Sequence, residues 1–260
     1  MLKAKQILKI VLFVVLFLGT TAYVVYAMTY MHKGNPKEVC SEVSLIVEMN
    51  PHAPFINERS VVELLLAGNL YPEGRLMNEI DTRKIEQYLQ QNQFVERVEC
   101  YKTNNGMEVG KGKVCVRVTQ RTPVIYVLPD GQQGYYVDGE GTIIPNTIYV
   151  KNIVTATGNI NTVFATEELS TFGKFIRDHA YWDEQLEQVH VTLNAKKQRV
   201  VSLIPRRGDH TIFMGTLDNF EKKLRRLKIF YEKGLPQVGW NKYAALDLEY
   251  DNQIVCTKRK

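Results

Sequence analysis

The chain has 260 residues, of which 45% are hydrophobic and 23% charged, so collagen-like, low-complexity and wholly disordered classes are excluded and about two domains are expected. The formal net charge is +5, but three of the basic residues are Lys3, Lys5 and Lys9, and the rest of the chain has 30 basic against 28 acidic side chains. This balance lacks the clustered basic excess of nucleic-acid-binding proteins, so we expect no nucleic-acid partner.

The first predicted element is a transmembrane helix. Residues 10–31 form a run of 22 uncharged positions, and a helix of that length reaches about 33 Å, enough to cross a bilayer core. The run is too long for the apolar region of a cleaved signal peptide, which is about 7–15 residues. Because three lysines precede it, the positive-inside rule places residues 1–9 in the cytoplasm and the bulk of the chain outside. The sequence therefore predicts a single-pass, N-in membrane protein.

Five further elements are predicted after this helix, in the order β-α-α-β-β. Alternating apolar residues indicate the strands, Asn57 and Asp81 are suited to cap the two helices, and Gly68 is suited to end the first. After a break at residues 34–36, the elements are a strand around 43–47, a helix at 57–68, a helix from Asp81, and strands at 94–102 and 113–119 joined by a loop at 103–112.

The four cysteines are too few for a disulfide-built scaffold. Cys100 and Cys115 flank the loop of the predicted hairpin. Val114 and Val116 mark the apolar face of the second strand, so Cys115 lies on its other face, whereas Cys100 belongs to the apolar face of the first strand. Residues that oppose each other in a regular pair share a face, so a bridge would need a bulge. The pairing of these two cysteines stays open.

From Pro123 onward the pattern changes to short strands separated by turn dipeptides, which predicts a sheet-rich second domain. Two helices interrupt the strands, one over residues 166–178 and one over residues 217–231. The turn dipeptides are Asp130-Gly131, Asp138-Gly139 and Asn194-Ala195.

The second of these helices has the clearest helical periodicity in the chain. Asp218 and Glu221 form a predicted capping box at its start, while Gly234 and Pro236 are expected to end it. We interpret its basic face as solvated, with lipid headgroups or an acidic partner as alternatives. Its apolar residues are Leu217, Phe220, Leu224, Leu227 and Tyr231, and its basic residues are Lys222, Lys223, Arg225, Arg226 and Lys228.

Residues 246–250 are predicted to form a terminal strand, because leucine and tyrosine alternate there with acidic residues. Asn252 breaks this strand before a short last strand at 254–257. A terminal strand often lies at the edge of a sheet, and an unpaired edge can accept a strand from another chain. We therefore expect an interaction surface in this region.

The sequence carries no catalytic, metal-binding or cofactor-binding pattern. The five histidines lack metal-ligand spacing, and there is no glycine-rich phosphate loop or nucleophile motif. Asp209-His210 is the nearest approach to a catalytic pair, and we interpret it as part of a turn. The sequence thus predicts no enzymatic activity, no cofactor and no metal.

Five segments together indicate a known family. Each segment alone is a weak signal, but their order along the chain is specific. They are QFVERVECYK (93–102), KVCVRVTQRTPVIYV (113–127), GYYVDGEGTIIP (134–145), GDHTIFMGTLDNFEKKLRRLKIFYEKG (208–234) and LDLEYDNQIVCTK (246–258). With the preceding anchor and β-α-α-β-β unit, they resemble the FtsQ/DivIB family of bacterial cell division proteins over nearly the whole chain.

The resemblance implies an α+β fold with a cytoplasmic tail (1–9), a transmembrane helix (10–31), a POTRA domain (41–122) and a sheet-rich β domain with two helices (123–260). It implies a non-catalytic divisome scaffold in the inner membrane at the division septum. The partners would be FtsB- and FtsL-type bitopic proteins and, through them, the septal peptidoglycan synthase. The family's site on the last β strand corresponds to Leu246, Asp247, Leu248, Glu249, Tyr250, Asp251, Asn252 and Gln253.

Two functions of other classes stay open. A POTRA domain also occurs in periplasmic assembly and transport factors, although usually in tandem. A membrane-anchored periplasmic hydrolase is the enzyme alternative, and its activity would depend on His210.

Overall fold

The computed structural model describes residues 4–31, 37–51, 53–104 and 110–259. The predicted break at 34–36 and half of the predicted loop at 103–112 lie outside them. Contacts between residues group the chain into two compact units. The predicted domain boundaries, 41–122 and 123–260, rest on sequence pattern and stay a prediction. The first unit comprises Met1–Ile46, Val62–Leu89 and Val98–Arg117, and the second comprises Val47–Val61, Gln90–Arg97 and Val118–Lys260.

The N-terminal element is a long apolar helix, α1 (Ala4–Met31). Its stretch Val11–Met28 is long enough to cross a bilayer and is not buried against other residues. Among the described residues it is the one helix with this length and composition. The predicted apolar helix at the N-terminus is confirmed.

The predicted order β-α-α-β-β is also confirmed. The elements are β1 (Val39–Glu48), α2 (Glu58–Ala67), α3 (Thr82–Gln90), β2 (Val95–Asn104) and β3 (Lys111–Gln120). The strands form a sheet in the order β1-β3-β2. Asn57 caps α2 by accepting a hydrogen bond from the amide of Ser60 over 2.9 Å, and Asp81 caps α3 through the amide of Lys84 over 3.2 Å.

Aliphatic side chains from both helices and from β3 form the core of the first unit. Leu65, Ile85 and Leu89 lie on the inner faces of α2 and α3, and each is at most 1% exposed. Val114 and Val116 of β3 are buried to the same degree. Their burial removes apolar surface from water, which stabilises the fold by about 25 cal/mol per Å².

All four cysteines are free thiols. Cys100 is buried, and burial raises the pKa of its thiol to about 12. Cys115 is only half-buried, because it alternates along β3 with the buried Val114 and Val116. The side-chain alternation thus explains why the bridge that the sequence left open is not formed.

The second unit is built on a nine-stranded mixed sheet. Its strands are β4 (Pro123–Pro129), β5 (Tyr135–Asp138), β6 (Ile143–Pro145), β7 (Thr155–Gly158), β8 (Leu186–Leu193), β9 (Arg199–Pro205), β10 (Thr211–Gly215), β11 (Tyr243–Asp247) and β12 (Val255–Lys258). Its helices are α4 (Thr162–Phe164), α5 (Ser170–Asp178), α6 (Ala180–Gln185), α7 (Phe220–Ile229) and α8 (Leu235–Val238). Two π-helical turns, Ala165–Leu169 and Phe230–Gly234, join α4 to α5 and α7 to α8.

The strand order is β12-β11-β10-β9-β8-β7-β4-β5-β6. The predicted turns at Asp130, Asp138 and Asn194 connect antiparallel pairs, so these three turns are confirmed. Three other neighbouring pairs, β4-β7, β7-β8 and β10-β11, are parallel. Within the described residues, the outer strands of this sheet are therefore β12 and β6.

Helices α5 and α7 bury their predicted apolar faces in the core of this unit. Phe172 of α5 is fully buried, and its ring meets that of Phe220 of α7 edge-on at 5.3 Å between centroids. Leu224 and Leu227 of α7 are also fully buried and belong to the same core cluster as Ile212 of β10. The sheet and both helices therefore share one apolar core.

The predicted capping box at the start of α7 is wrong. Asn219 precedes the helix with a left-handed backbone, φ 53°, and no side chain caps the first turn. The carboxylate of Asp218 instead accepts a hydrogen bond from the hydroxyl of Thr216 over 2.8 Å. Because Asn219 is left-handed and the carboxylate of Asp218 bonds to Thr216, the sequence match to the box does not produce the cap.

The predicted end of this helix is also wrong. The chain continues through the π-helical turn at Gly234 into α8, where Pro236 occupies the first turn and its missing N–H costs no helical hydrogen bond. The helix stops at Gly239, which has φ 94° and donates its amide to the carbonyl of Leu235 over 2.8 Å.

The buried side chain of Gln120 organises a loop of the second unit. Its Nε2 donates to the carbonyl of Ala53 over 2.6 Å, and its Oε1 accepts from the amides of Phe55 and Ile56 over 2.8 and 3.2 Å. One amide group thus satisfies three backbone groups that an apolar residue would leave unpaired.

Replacing Gln120 with leucine is expected to lower the free energy of unfolding by about 2–4 kcal/mol, because three buried backbone groups lose their partner. Chemical denaturation of wild type and Gln120→Leu measures this change. The same substitution at the exposed Gln133 is the control and should change the value little. Equal stabilities of the two variants would contradict this role.

Candidate functional site

The predicted partner-binding residues lie at the end of β11 and in the connection from β11 to β12. Leu246 of β11 is opposite Ile212 of β10 on one side and Cys256 of β12 on the other. The prediction of an edge strand over residues 246–250 is therefore wrong. The strand ends at Asp247, and the outer strand is β12.

Hydrogen bonds to Arg226 of α7 explain why the strand ends there. Its Nη2 donates to the carbonyl of Leu248 and its Nη1 to the carbonyl of Tyr250, each over 2.8 Å. The amide of Leu248 donates to the carbonyl of Phe213 over 2.9 Å. The guanidinium thus holds two carbonyls that a continuing strand would use for pairing, and the chain turns.

The eight predicted residues differ in what they present to solvent. Leu246 and Leu248 are completely buried, so their side chains cannot contact a partner or set the register of an added strand. Tyr250 is 51% exposed. Glu249, Tyr250, Asp251, Asn252 and Gln253 are all exposed, and together they form the 249–253 turn.

The outer edge of β12 is a feature that the sequence analysis missed, although it predicted the strand itself. The amide of Arg259 donates to the carbonyl of Lys242 over 3.0 Å, towards the β11 side. Because successive residues of a strand direct their backbone groups to opposite sides, the N–H and C=O of Lys258 point to the open edge. Val255 and Thr257 add exposed side chains. The sequence signal that could have identified β12 as the outer strand is its position after the last turn of the chain.

Two grooves flank the 249–253 turn, and Asn252 lines both. One has a volume of about 370 Å³ and is mainly apolar, with Ile229, Phe230 and Ile254 in its wall. The other has a volume of about 480 Å³ and is charged; its charged residues are Asp218, Lys222, Lys223, Arg225, Arg226, Glu249 and Asp251. The turn therefore has an apolar surface on one side and a mixed-charge surface on the other.

The interpretation of the basic face of α7 as solvated holds only in part. Lys223 donates to the carbonyls of Met214 and Thr216 over 2.9 and 2.8 Å, and burial lowers the pKa of its ammonium group. Lys228 lies 4.5 Å from the ring centroid of Tyr181. Lys222 and Arg225 are exposed. The sequence held no signal that separates these roles.

His210 has a structural environment. It is 3% exposed, and its Nε2 lies 2.6 Å from the hydroxyl of Tyr231, whose ring in turn contacts Trp240. A histidine enclosed in this way does not reach a substrate in solvent. Among the described residues, no group of three or more acidic, histidine or cysteine side chains could hold a metal ion.

Known protein families provide an independent comparison for this chain. The family model described as FtsQ/DivIB, C-terminal related, matches residues 122–257, more than half of the chain. The chain belongs to the FtsQ/DivIB family. A second model, for a POTRA-like domain, matches residues 38–119, so β1 to β3 with α2 and α3 form that domain. Among curated proteins, none matches this chain.

Family membership makes the chain a division-associated scaffold with partners in the division complex. FtsQ/DivIB proteins are generally non-catalytic scaffolds. The apolar helix α1 is consistent with membrane anchoring of such a protein.

Removing the guanidinium of Arg226 is expected to loosen the 249–253 turn. Arg226→Met retains the aliphatic stem but loses two charge-assisted hydrogen bonds, so we expect the free energy of unfolding to fall by about 1–3 kcal/mol. Hydrogen exchange of the turn amides should accelerate. Arg225→Met, on the exposed side of the same helix, is the control, and indistinguishable behaviour of the two variants would disprove the role of Arg226.

Acid is expected to destabilise the protein through His210. Burial lowers the pKa of His210 and Arg259 adds to this effect, while Asp209 opposes it. The neutral imidazole of His210 contributes fully to the free energy of unfolding when the pH is above the unfolded-state pKa of about 6.5. This contribution is lost as the pH falls through the lower pKa of the folded state. Thermal melts from about pH 5 to 7.5 should show a smaller acid-induced loss for His210→Gln, which does not titrate in this range. Identical pH profiles would exclude this contribution.

Proposed function

We propose that this chain is a non-catalytic divisome scaffold that binds FtsB- and FtsL-type division proteins. Through these partners it helps to recruit and regulate septal peptidoglycan synthesis. The proposed contact surface consists of the outer edge of β12, the 249–253 turn and the apolar groove beside it. Of the eight predicted residues, Leu246 and Leu248 support the surface from the core, and the exposed ones contact the partner.

The proposal includes a single-pass topology. Residues 1–9 lie in the cytoplasm, residues 10–31 cross the inner membrane, and the POTRA domain (41–122) and the β domain (123–260) lie in the periplasm at the septum. The apolar stretch Val11–Met28 and the three lysines that precede it support this orientation.

The open edge of β12 is the observation that carries the proposal. A strand added there would pair with outward backbone groups such as those of Lys258, and these main-chain hydrogen bonds would supply affinity. The exposed side chains of Val255 and Thr257, together with Tyr250 of the turn, would set the register. An apolar side chain of the partner would enter the groove beside Ile229 and Ile254.

Proline at position 258 is expected to block strand addition, because it removes the outward amide of β12 and places its ring at the open edge. We expect Lys258→Pro to bind the periplasmic part of the FtsB-type partner at least about tenfold more weakly than wild type, which corresponds to about 1.4 kcal/mol. Calorimetric titration of the full chain in phospholipid nanodiscs measures this affinity.

Lys258→Ala is the matched control, because it removes the same side chain and keeps the backbone amide. It should bind within about threefold of wild type, a difference below 1 kcal/mol. Thermal melts of both variants must coincide with wild type. Full affinity in a folded Lys258→Pro would exclude β12 as the docking edge, and absence of wild-type binding would overturn the proposed function.

A further inference from the structure

A cleft of about 420 Å³ lies at the end of the nine-stranded sheet away from β12. Tyr126 of β4, Tyr136 of β5 and Thr155 of β7 contribute to its wall, and the segment that joins β6 to β7 contributes Asn146 and Tyr149. Its volume lies within the range of about 300–1,000 Å³ that is usual for small-molecule sites. The cleft is separate in the sheet from the surface proposed for division partners.

Hydrogen bonds fix the wall of this cleft in advance. The hydroxyl of Tyr136 donates to the carbonyl of Ile148 over 2.9 Å and accepts from the amide of Val150 over 3.1 Å. The amide nitrogen of Asn146 donates to the hydroxyl of Tyr126 over 3.1 Å. These bonds tie the connecting segment to the sheet, so a ligand would not have to order the cleft on binding.

Tyr149 provides an uncovered aromatic ring beside this fixed wall. It is 82% exposed, the largest exposure among the large hydrophobic side chains of the described residues. A single exposed aromatic residue is ordinary on a protein surface. In the lining of a preformed cleft, however, its ring offers a flat apolar face on which a ligand ring can stack.

The lining has a distinctive chemistry, because none of its residues carries a charge at neutral pH. Its polar side chains are amides and hydroxyls, including those of Asn146, Asn152 and Thr155, and each of these can both donate and accept hydrogen bonds. The apolar remainder includes Ile148 and Ile153. A charged ligand would find no counter-charge here, whereas a neutral ligand rich in hydroxyl and amide groups would find partners.

We propose that this cleft binds a neutral saccharide that carries N-acetyl groups. The face of a sugar ring stacks on Tyr149, and its hydroxyl groups bond to the asparagine and threonine side chains. The acetamido group pairs with an asparagine amide, and its methyl group contacts Ile148 or Ile153. The proposal goes beyond the scaffold function and does not depend on it.

A peptide ligand fits the same surface less well. Grooves that bind polyproline helices present several aromatic ridges. Here the rings of Tyr126 and Tyr136 lie 4.9 Å apart with a tilt of 48°, and Tyr136 is only 3% exposed, so they leave no slot between them. Strand addition is also disfavoured, because β6 has three residues and ends in Pro145, which lacks an amide donor.

Titration of the full chain with a tetramer of N-acetylglucosamine tests the proposal. Phospholipid nanodiscs are used, so that no detergent with a sugar headgroup is present in the titration. We expect saturable binding with a Kd of about 0.1–1 mM by calorimetry. Titration with monomeric N-acetylglucosamine distinguishes two sources of the sugar. Tighter binding of the tetramer than of the monomer indicates a glycan chain, whereas equal binding of the two indicates a free sugar.

Variants at position 149 locate the site. Tyr149→Ala should weaken tetramer binding by about tenfold or more, whereas Tyr149→Phe keeps the ring and should stay within about threefold of wild type. Tyr250→Ala, at the exposed tyrosine of the 249–253 turn, should bind as wild type. Because Tyr149 is exposed, its replacement should leave the thermal melt unchanged.

Three results would overturn the proposal. The first is no detectable binding at about 5 mM tetramer. The second is unchanged affinity in Tyr149→Ala. The third is equal binding of cellotetraose, which lacks acetamido groups, since this would remove the assigned specificity. Binding of a polyproline peptide to the cleft, without binding of the saccharide, would also overturn the proposal and would indicate a peptide ligand.

Discussion

The guanidinium of Arg226 is the group on which the C-terminal surface depends. Burial of Leu224 and Leu227 fixes α7 against the core, and this packing places Arg226 beside the end of β11. Its two hydrogen bonds to carbonyl groups turn the chain away from the sheet, so that β12 can return antiparallel to β11. The surface proposed for division partners is thus a consequence of how α7 packs on the core.

The two ends of the nine-stranded sheet have opposite character. At the β12 end, backbone groups are open and charged side chains are abundant, which suits the addition of a strand from another protein. At the β6 end, a short strand closes with Pro145, and the neighbouring cleft is uncharged and rich in tyrosine. The two proposed binding surfaces therefore lie at opposite ends of one sheet and differ in their chemistry.

The length of the uncharged run predicted the apolar N-terminal helix, turn dipeptides predicted three turns of the β domain, and periodicity predicted the β-α-α-β-β order and the apolar face of α7. These patterns are local. Sequence pattern failed where a backbone conformation or a distant side chain decides the outcome. A capping box at Asp218 was overridden by the left-handed Asn219, and the strand expected to continue past Asp247 was ended by Arg226. The cleft around Tyr149 left no sequence signal, because its members come from separate strands and from a loop.

The π-helical turn at Phe230–Gly234 has a consequence for comparing related chains. A π-helical turn contains one more residue than a regular helical turn, so it is equivalent to a single-residue insertion in an α-helix. Deleting one residue there would give a regular helical turn and would not change the direction in which the later residues face, because the wider π-helical turn absorbs the extra residue. The buried Leu235 would then keep its place in the core. Relatives with a gap at this point should therefore be aligned by the positions of their apolar residues rather than by helix length.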